Sequence, residues 1–221
     1  MPETFFPTRP LAALLFDMDG TIISSIASAE RIWSRWAEAH GLDVAAFLPT
    51  IHGVRSVETI RRLNLPGVDP EAEAAAITEA EMEDVGDIIG IPGAQSFLEA
   101  LPRERWAIVT SAPRRLAERR LAAAGMPVPD LLVAAEDVAQ GKPAPDCFLL
   151  GAERLGAAAS ECLVFEDAPA GIRAAEAAGA GIVVVTATHH EPVTTGHPAI
   201  ADYTRLRVAA DRSGIRVTRA G

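Results

Sequence analysis

Short blocks of consecutive apolar residues alternate along this chain with longer segments in which apolar positions recur every three or four residues. Residues 11–16, 106–110, 131–133, 162–165 and 181–185 are nearly continuous apolar runs. Such runs mark strands buried on both faces, as in a parallel sheet. The stretches 113–124, 145–155 and 169–178 each begin near a proline, a good first-turn residue, and each is followed by a glycine. That punctuation predicts three helices between the strands. The alternation predicts an α/β fold, a Rossmann-like parallel sheet with helices on both faces.

The alternation is interrupted once. Residues 24–90 contain no convincing strand, whereas 27–39, 57–63 and 71–85 carry helical spacing with acidic or amphipathic faces. The interruption is bounded by Gly20-Thr-Ile-Ile-Ser-Ser25 and Gly90-Ile-Pro-Gly93, and glycine and proline at both crossings suit hinges. We read an α/β core of residues 1–22 and 90–221 and an inserted helical cap of residues 23–89. Trp33 and Trp36, three apart on a helix, read as the cap's own core.

Composition narrows the functional classes. With 221 residues, 49% of them hydrophobic, the chain can bury a sizeable core. A net charge of −10 and a pI near 5.0 provide no long-range attraction for nucleic acid or anionic lipid. The apolar runs fall short of a membrane span, and residues 1–7 show no secretion signal. Cys147 and Cys162 fit no Cys-x-x-Cys spacing. These features together describe a soluble, reduced, cytoplasmic protein, monomer or weak homodimer. Lys142 is the only lysine among 20 basic residues, so an otherwise arginine-rich chain keeps a compact ammonium at this one position.

The chemistry-bearing residues cluster at the carboxyl ends of the predicted strands, the edge where open α/β sheets bind ligands. Phe16-Asp17-Met18-Asp19-Gly20-Thr21 sets two acids after the first strand. Asp17 there could attack phosphorus, and Asp19 could act as acid and then base; a simple Asp-x-Asp-Gly turn or an incomplete calcium loop has the same residues. Thr110, Ser111 and Ala112 precede a helix and offer a hydroxyl and N–H groups to an anion, or cap the helix. Gly141-Lys142-Pro143 places the ammonium before another helix, where it could neutralise phosphate. Glu166 and Asp167 end the fourth strand, hard oxygen donors of the kind Mg²⁺ accepts. His189, His190 and His197 lie in a Thr/Pro/Gly-rich loop and read as solvated.

Taken in order, Phe-Asp-Met-Asp-Gly-Thr, Thr-Ser-Ala, Gly-Lys-Pro and Phe-Glu-Asp-Ala-Pro-Ala-Gly-Ile resemble the four motifs of the haloacid dehalogenase superfamily. The likeness runs from residue 11 to about 187, and the helical insert is similar to the cap of the β-phosphoglucomutase-like and sugar-phosphatase branch. His52-Gly53-Val54-Arg55 resembles a segment of the glycerol-3-phosphate and 2-deoxyglucose-6-phosphate phosphatases. Ser24, where an aspartate often stands in that branch, is a departure at the cap entrance. The resemblance implies a Mg²⁺-dependent phosphatase of a small phosphorylated sugar or polyol. In it Asp17 is the nucleophile, Asp19 the acid and base, and Lys142 a charge stabiliser. Thr110, Ser111, Ala112, His52 and Arg55 hold the substrate, and Asp17, Asp19, Glu166 and Asp167 surround the metal. A phosphomutase of the same architecture, or a receiver-type phospho-accepting module, uses a similar residue set.

Overall fold

The computed structural model describes residues 9–189 and 195–220; the N-terminal segment read for a leader and His190 lie outside the described residues. The chain enters through strand β1 (Ala13–Phe16) and β2 (Ile23–Ser24), then builds helices α1 (Ile26–Ala39), α2 (Val44–Phe47), α3 (Ser56–Leu63) and α4 (Pro70–Glu83). It returns through β3 (Ile89–Gly90) and α5 (Ala94–Glu99) to β4 (Trp106–Val109), α6 (Arg114–Ala123), β5 (Leu132–Val133) and α7 (Asp146–Arg154). The remaining elements are β6 (Cys162–Glu166), α8 (Pro169–Ala178), β7 (Gly181–Val185), β8 (Ala199–Ile200), β9 (Leu206–Asp211) and β10 (Gly214–Arg219).

Six strands form one parallel sheet in the order β5-β4-β1-β6-β7-β8. β1 lies inside it, and its alternate side chains serve two separate cores. Leu14 and Phe16 pack with Ile108, Phe165, Phe97 and Tyr203 on one face; Ala13 and Leu15 pack with Val109, Phe148, Val164 and Ile172 on the other. A strand with water on neither side has no use for polar alternation, which is why these segments read as continuous apolar runs. Phe16 stacks on Phe165 with ring centroids 4.8 Å apart, so neighbouring strand ends are locked where the site begins.

Between β2 and β3 the helices have their own apolar cluster, in which Trp33, Trp36, Phe47, Ile51, Ile60 and Ile77 are buried. α1 presents Ile32, Trp33, Trp36 and Ala37 to it at helical spacing. The two crossings pair with each other, Ile23 with Gly90 and Ser24 with Ile89, so the excursion leaves and re-enters the core at one place. No helix among the described residues is long and apolar enough to cross a membrane.

Three elements depart from the pattern reading. Leu11 does not extend β1; it bridges antiparallel to Ile215 through a reciprocal pair of 2.8 Å hydrogen bonds. β8 adds a two-residue sixth strand, and β9 and β10 form an antiparallel hairpin. Only Leu206, Val208, Ile215 and Val217 of that hairpin are apolar and turned inward, alternating with exposed residues such as Arg207 and Arg216, a half-buried pattern that continuous apolar runs do not cover. Ile215 is fully buried, so Ile215→Ala is expected to lower unfolding free energy by roughly 2–5 kcal/mol, the usual loss for emptying a large aliphatic site. Denaturant titration of both proteins checks this, and an unchanged midpoint would mean that the hairpin is an appendage.

Candidate active site

The end of β1 directs Asp17 to the carboxyl edge, where its N–H continues the ladder by donating to Phe165 O at 2.9 Å. The chain then turns tightly, with the N–H groups of Thr21, Ile22 and Ile23 all directed at Met18 O. Gly20 makes this turn with φ +87°, and a Cβ at that position would lie 2.1 Å from Asp167 Oδ2. Glycine is thus required twice, by its backbone and by the carboxylate resting on it. Thr21 Oγ1 donates to the other oxygen, Asp167 Oδ1, at 3.1 Å.

The β6 end supplies Glu166 and Asp167. Glu166 is fully buried and folds over Gly171 of α8, where a Cβ would lie 1.5 Å from Oε1. Its Oε2 accepts the Ala168 N–H at 2.7 Å, at the mouth of that helix, where an anion is favoured. The loop before α7 brings in Lys142, only 1% exposed. Its three ammonium hydrogens have three acceptors: Asp17 Oδ1 at 2.5 Å, Glu166 Oε1 at 2.8 Å and Val109 O at 3.2 Å. A compact tripod of donors fits here, and the planar fork of an arginine does not.

Asp17, Glu166 and Asp167 each offer a carboxylate oxygen, all within 4.8 Å of one another. One ammonium cannot neutralise three buried acids. Burial, Glu166 and Asp19 push Asp17 up to about 8 against the pull of Lys142, and burial with Glu166 and Asp17 raises Asp167 well above the carboxylate range. The cluster is therefore short of positive charge and rich in hard oxygen donors, a fit for a divalent cation. The Asp19 carboxylate, expected among the metal residues, is not in this group of carboxylate oxygens. Its Oδ1 accepts from Ser25 Oγ at 2.5 Å and from Arg120 Nη1 at 3.0 Å, which turns the carboxylate toward α6.

Above these groups lies a cavity of about 80 Å³ whose walls include Asp17, Asp19, His52, Ser111, Glu81 and Arg120. Ser111 Oγ donates to Gly53 O of the helical insert at 2.9 Å. Thr110 is buried, and its Oγ1 accepts the Ala112 N–H at 3.1 Å, so that N–H is occupied by the turn itself. His52 lines the cavity with Nε2 3.4 Å from Glu30 Oε1, and burial lowers its pKa. Arg55 does not line it. Its guanidinium pairs with Glu58 and donates to the carbonyls of Ala135, Val138 and Ala139, at 3.2, 3.1 and 3.0 Å. It clamps the insert to the loop that carries Lys142.

The histidines are also not simply solvated. His189 is half-buried with Nε2 2.9 Å from Asp167 O, and His197 Nε2 lies 2.8 Å from Glu176 Oε1. Sequence reasoning missed Ser25, Glu81 and Arg120. The available signal was Glu81 on the inward face of α4, one turn after Ile77.

The chain is 41% identical over 182 residues to hexitol phosphatase A of Escherichia coli, covering 80% of this chain and 84% of that one. It is 34% identical to glycerol-1-phosphate phosphohydrolase 2 of Saccharomyces cerevisiae, covering 82% and 78%. A hydrolase of Pseudomonas syringae has a similar crystal structure, with TM-score 0.73, 28% identity and coverage of 82% and 87%. The model of the haloacid dehalogenase-like hydrolase family matches residues 11–179, a span that takes in all four sheet-edge segments, and the chain belongs to that family.

Proposed function

We propose that this chain is a Mg²⁺-dependent phosphatase that hydrolyses the phosphomonoester of a small sugar or polyol through an aspartyl-phosphate on Asp17, beneath a movable cap of residues 23–89. The observation that carries the reading is the buried contact of Lys142 with both Asp17 and Glu166, with Asp167 alongside. It holds one carboxylate, Asp17, beside a fixed ammonium at the floor of a cavity. The substrate class is supported by relatives named for hexitol and glycerol phosphates. Membership of a hydrolase family argues against the receiver-type alternative.

Lys142 holds Asp17 through Oδ1, which leaves Oδ2 to attack phosphorus in line as the bond to the alcohol oxygen breaks. Asp19 donates a proton to that departing oxygen, then takes one from the water that cleaves the aspartyl-phosphate. Ser111 would hold a transferring oxygen, and Lys142, whose hydrogens are all engaged, offsets charge from beside Asp17, since phosphoryl transfer is mainly positioning and charge stabilisation. Asp17 and Asp167 would hold the cation directly. Glu166, with one oxygen on Lys142 and the other on Ala168, would reach it through water. Bound Mg²⁺ supplies the positive charge that the acids lack and draws in phosphate oxygens.

A site for a small ligand typically measures ~300–1,000 Å³, and the cavity of about 80 Å³ supports a cap that swings out for entry and excludes water on return. His52 would then meet the hydroxyl end of the substrate.

Asp17→Asn should keep the fold, by circular dichroism, and lose turnover, because an amide is no nucleophile. Asp19→Asn should lower kcat/KM for an alkyl phosphate by ~10²–10⁴-fold but by much less for p-nitrophenyl phosphate, whose leaving group needs no proton. Equal losses on the two substrates would give Asp19 another task.

Lys142→Ala should cost about 3 kcal/mol or more of transition-state stabilisation, the scale for removing one preorganised donor. Lys142→Arg should be impaired as well; an Arg variant with wild-type kcat/KM would contradict the tripod geometry.

The metal has its own signature. Asp17 is raised from 3.8 to about 8 in the folded state, so its contribution to cation-free stability is present below about 4 and disappears as pH rises through about 8. A cation competes with that proton. Mg²⁺ should therefore raise Tm more at pH 8 than at pH 6; a constant increment across that interval would place the ion elsewhere.

A further inference from the structure

Four arginines ride on α6, and three of them reach across to α4 of the cap. Arg115 pairs with Glu79 and Arg119 donates to Met82 O, both at the exposed rim. Arg120 differs in being buried, 4% exposed, with an acid on either side. Its Nη1 donates to Asp19 Oδ1 at 3.0 Å, and its Nη2 lies 3.3 Å from Glu81 Oε1. Glu81 is itself 4% exposed, and burial raises its pKa despite Arg120. A buried carboxylate on the cap is costly unless a cation meets it, and a buried guanidinium is costly unless acids do.

Both contacts to Asp19 fall on Oδ1, from Ser25 Oγ and from Arg120 Nη1. Oδ2 is left without a hydrogen-bond partner among the described residues, on a side chain that lines the cavity. A carboxylate held by two donors at one oxygen cannot swing, and proton transfer needs its other oxygen within hydrogen-bond reach of the substrate.

We propose that Arg120 is a positioning residue that aims Asp19 for proton transfer, and that Glu81 makes this aim conditional on cap closure. Docking of α4 completes the row Asp19–Arg120–Glu81. When the cap lifts away, Arg120 loses its second acid and is free to follow solvent, and Asp19 loses a fixed anchor. Misdocking of the cap leaves Glu81 buried without its cation, so the pair also selects the correct closed register. The same pair explains why a helix of the cap turns an acid inward beside Ile77 and Thr78.

This inference rests on the assignment of Asp19 as acid and base, so the test carries Asp19→Asn in parallel. Glu81→Gln and Arg120→Ala are assayed on glycerol 1-phosphate and on p-nitrophenyl phosphate, with inorganic phosphate as a competitive inhibitor. Both variants should lose about 10–100-fold in kcat/KM on the alkyl ester, a part of the ~10²–10⁴-fold that acid–base help supplies. The loss should be far smaller on the nitrophenyl ester, and inhibition by phosphate should be unchanged. Added guanidinium should restore part of the Arg120→Ala rate on the alkyl ester. If Arg120→Ala does not fold, the near-isosteric Glu81→Gln decides alone. Wild-type rates on the alkyl ester, or equal losses on both esters, would overturn the proposal. Should Asp19→Asn show the leaving-group-dependent loss while the other two variants do not, the positioning role fails and the reading of Asp19 stands. Should Asp19→Asn show no such dependence, both fall.

Discussion

One ammonium set among buried carboxylates constrains everything around it. Lys142 is almost wholly removed from water, and its charge is tolerable there only because Asp17, Glu166 and the Val109 carbonyl occupy all three of its hydrogens. Each acceptor comes from the end of a different strand: β1, β6 and β4, three neighbours in the sheet. Their spacing is therefore set by the ladder and by the interlocked Phe16 and Phe165 beneath. Side chains on three strands could drift apart only if the sheet itself were to split. The glycines follow from the same constraint: Gly20 and Gly171 leave the room that Asp167 and Glu166 occupy.

The cap is tied to this floor by a different sort of bond. Its main apolar cluster is separate from those of the sheet, although Met82 of α4 and Val85 just after it pack against the sheet's cluster, and polar contacts join the two around the site. These include Ser111 to Gly53 O, Arg55 to the Ala135–Ala139 carbonyls, and the α6 arginines to α4. At the exposed rim such contacts exchange with water at little net cost, whereas Arg120 and Glu81 meet out of water. Between α6 and α4 this interface sets arginine on the core against glutamate on the insert.

Legibility in the sequence followed burial. β1, β4, β6 and β7 are covered on both faces, so their apolar runs were visible without a structure, as were the helices behind their prolines. β8 is too short to show a period, and β9 and β10 are covered on one face only, so their inward residues alternate with exposed ones and form no continuous apolar run. At the site, Asp17, Glu166 and Asp167 stand next to strand ends, and Lys142 stood out as the one lysine. Arg120 and Glu81 gave no comparable sign, because a charged residue on a helix reads as a solvated face until the opposite helix is in view. Arg55 shows the converse. It was expected at the substrate from its motif, whereas its position against Glu58 and three carbonyls depends on a loop eighty residues further along.

The position of β1 inside the sheet bears on how the chain acquires its fold. Its register pairs Phe16 with Ile108 on one side and with Phe165 on the other, and both partners are synthesised long after it. Loop closure over such separations is slow compared with the formation of local helices. The first strand made thus waits for partners that follow much later, and its four fully apolar residues stay exposed on a growing chain. The inserted helices, whose contacts are mostly with one another, can collapse in the meantime. By bringing Ile23 beside Gly90 they shorten the effective tether between β1 and β4. In this view the cap serves the nascent chain before it serves the finished enzyme, as a folded spacer that delivers a late strand to an early one.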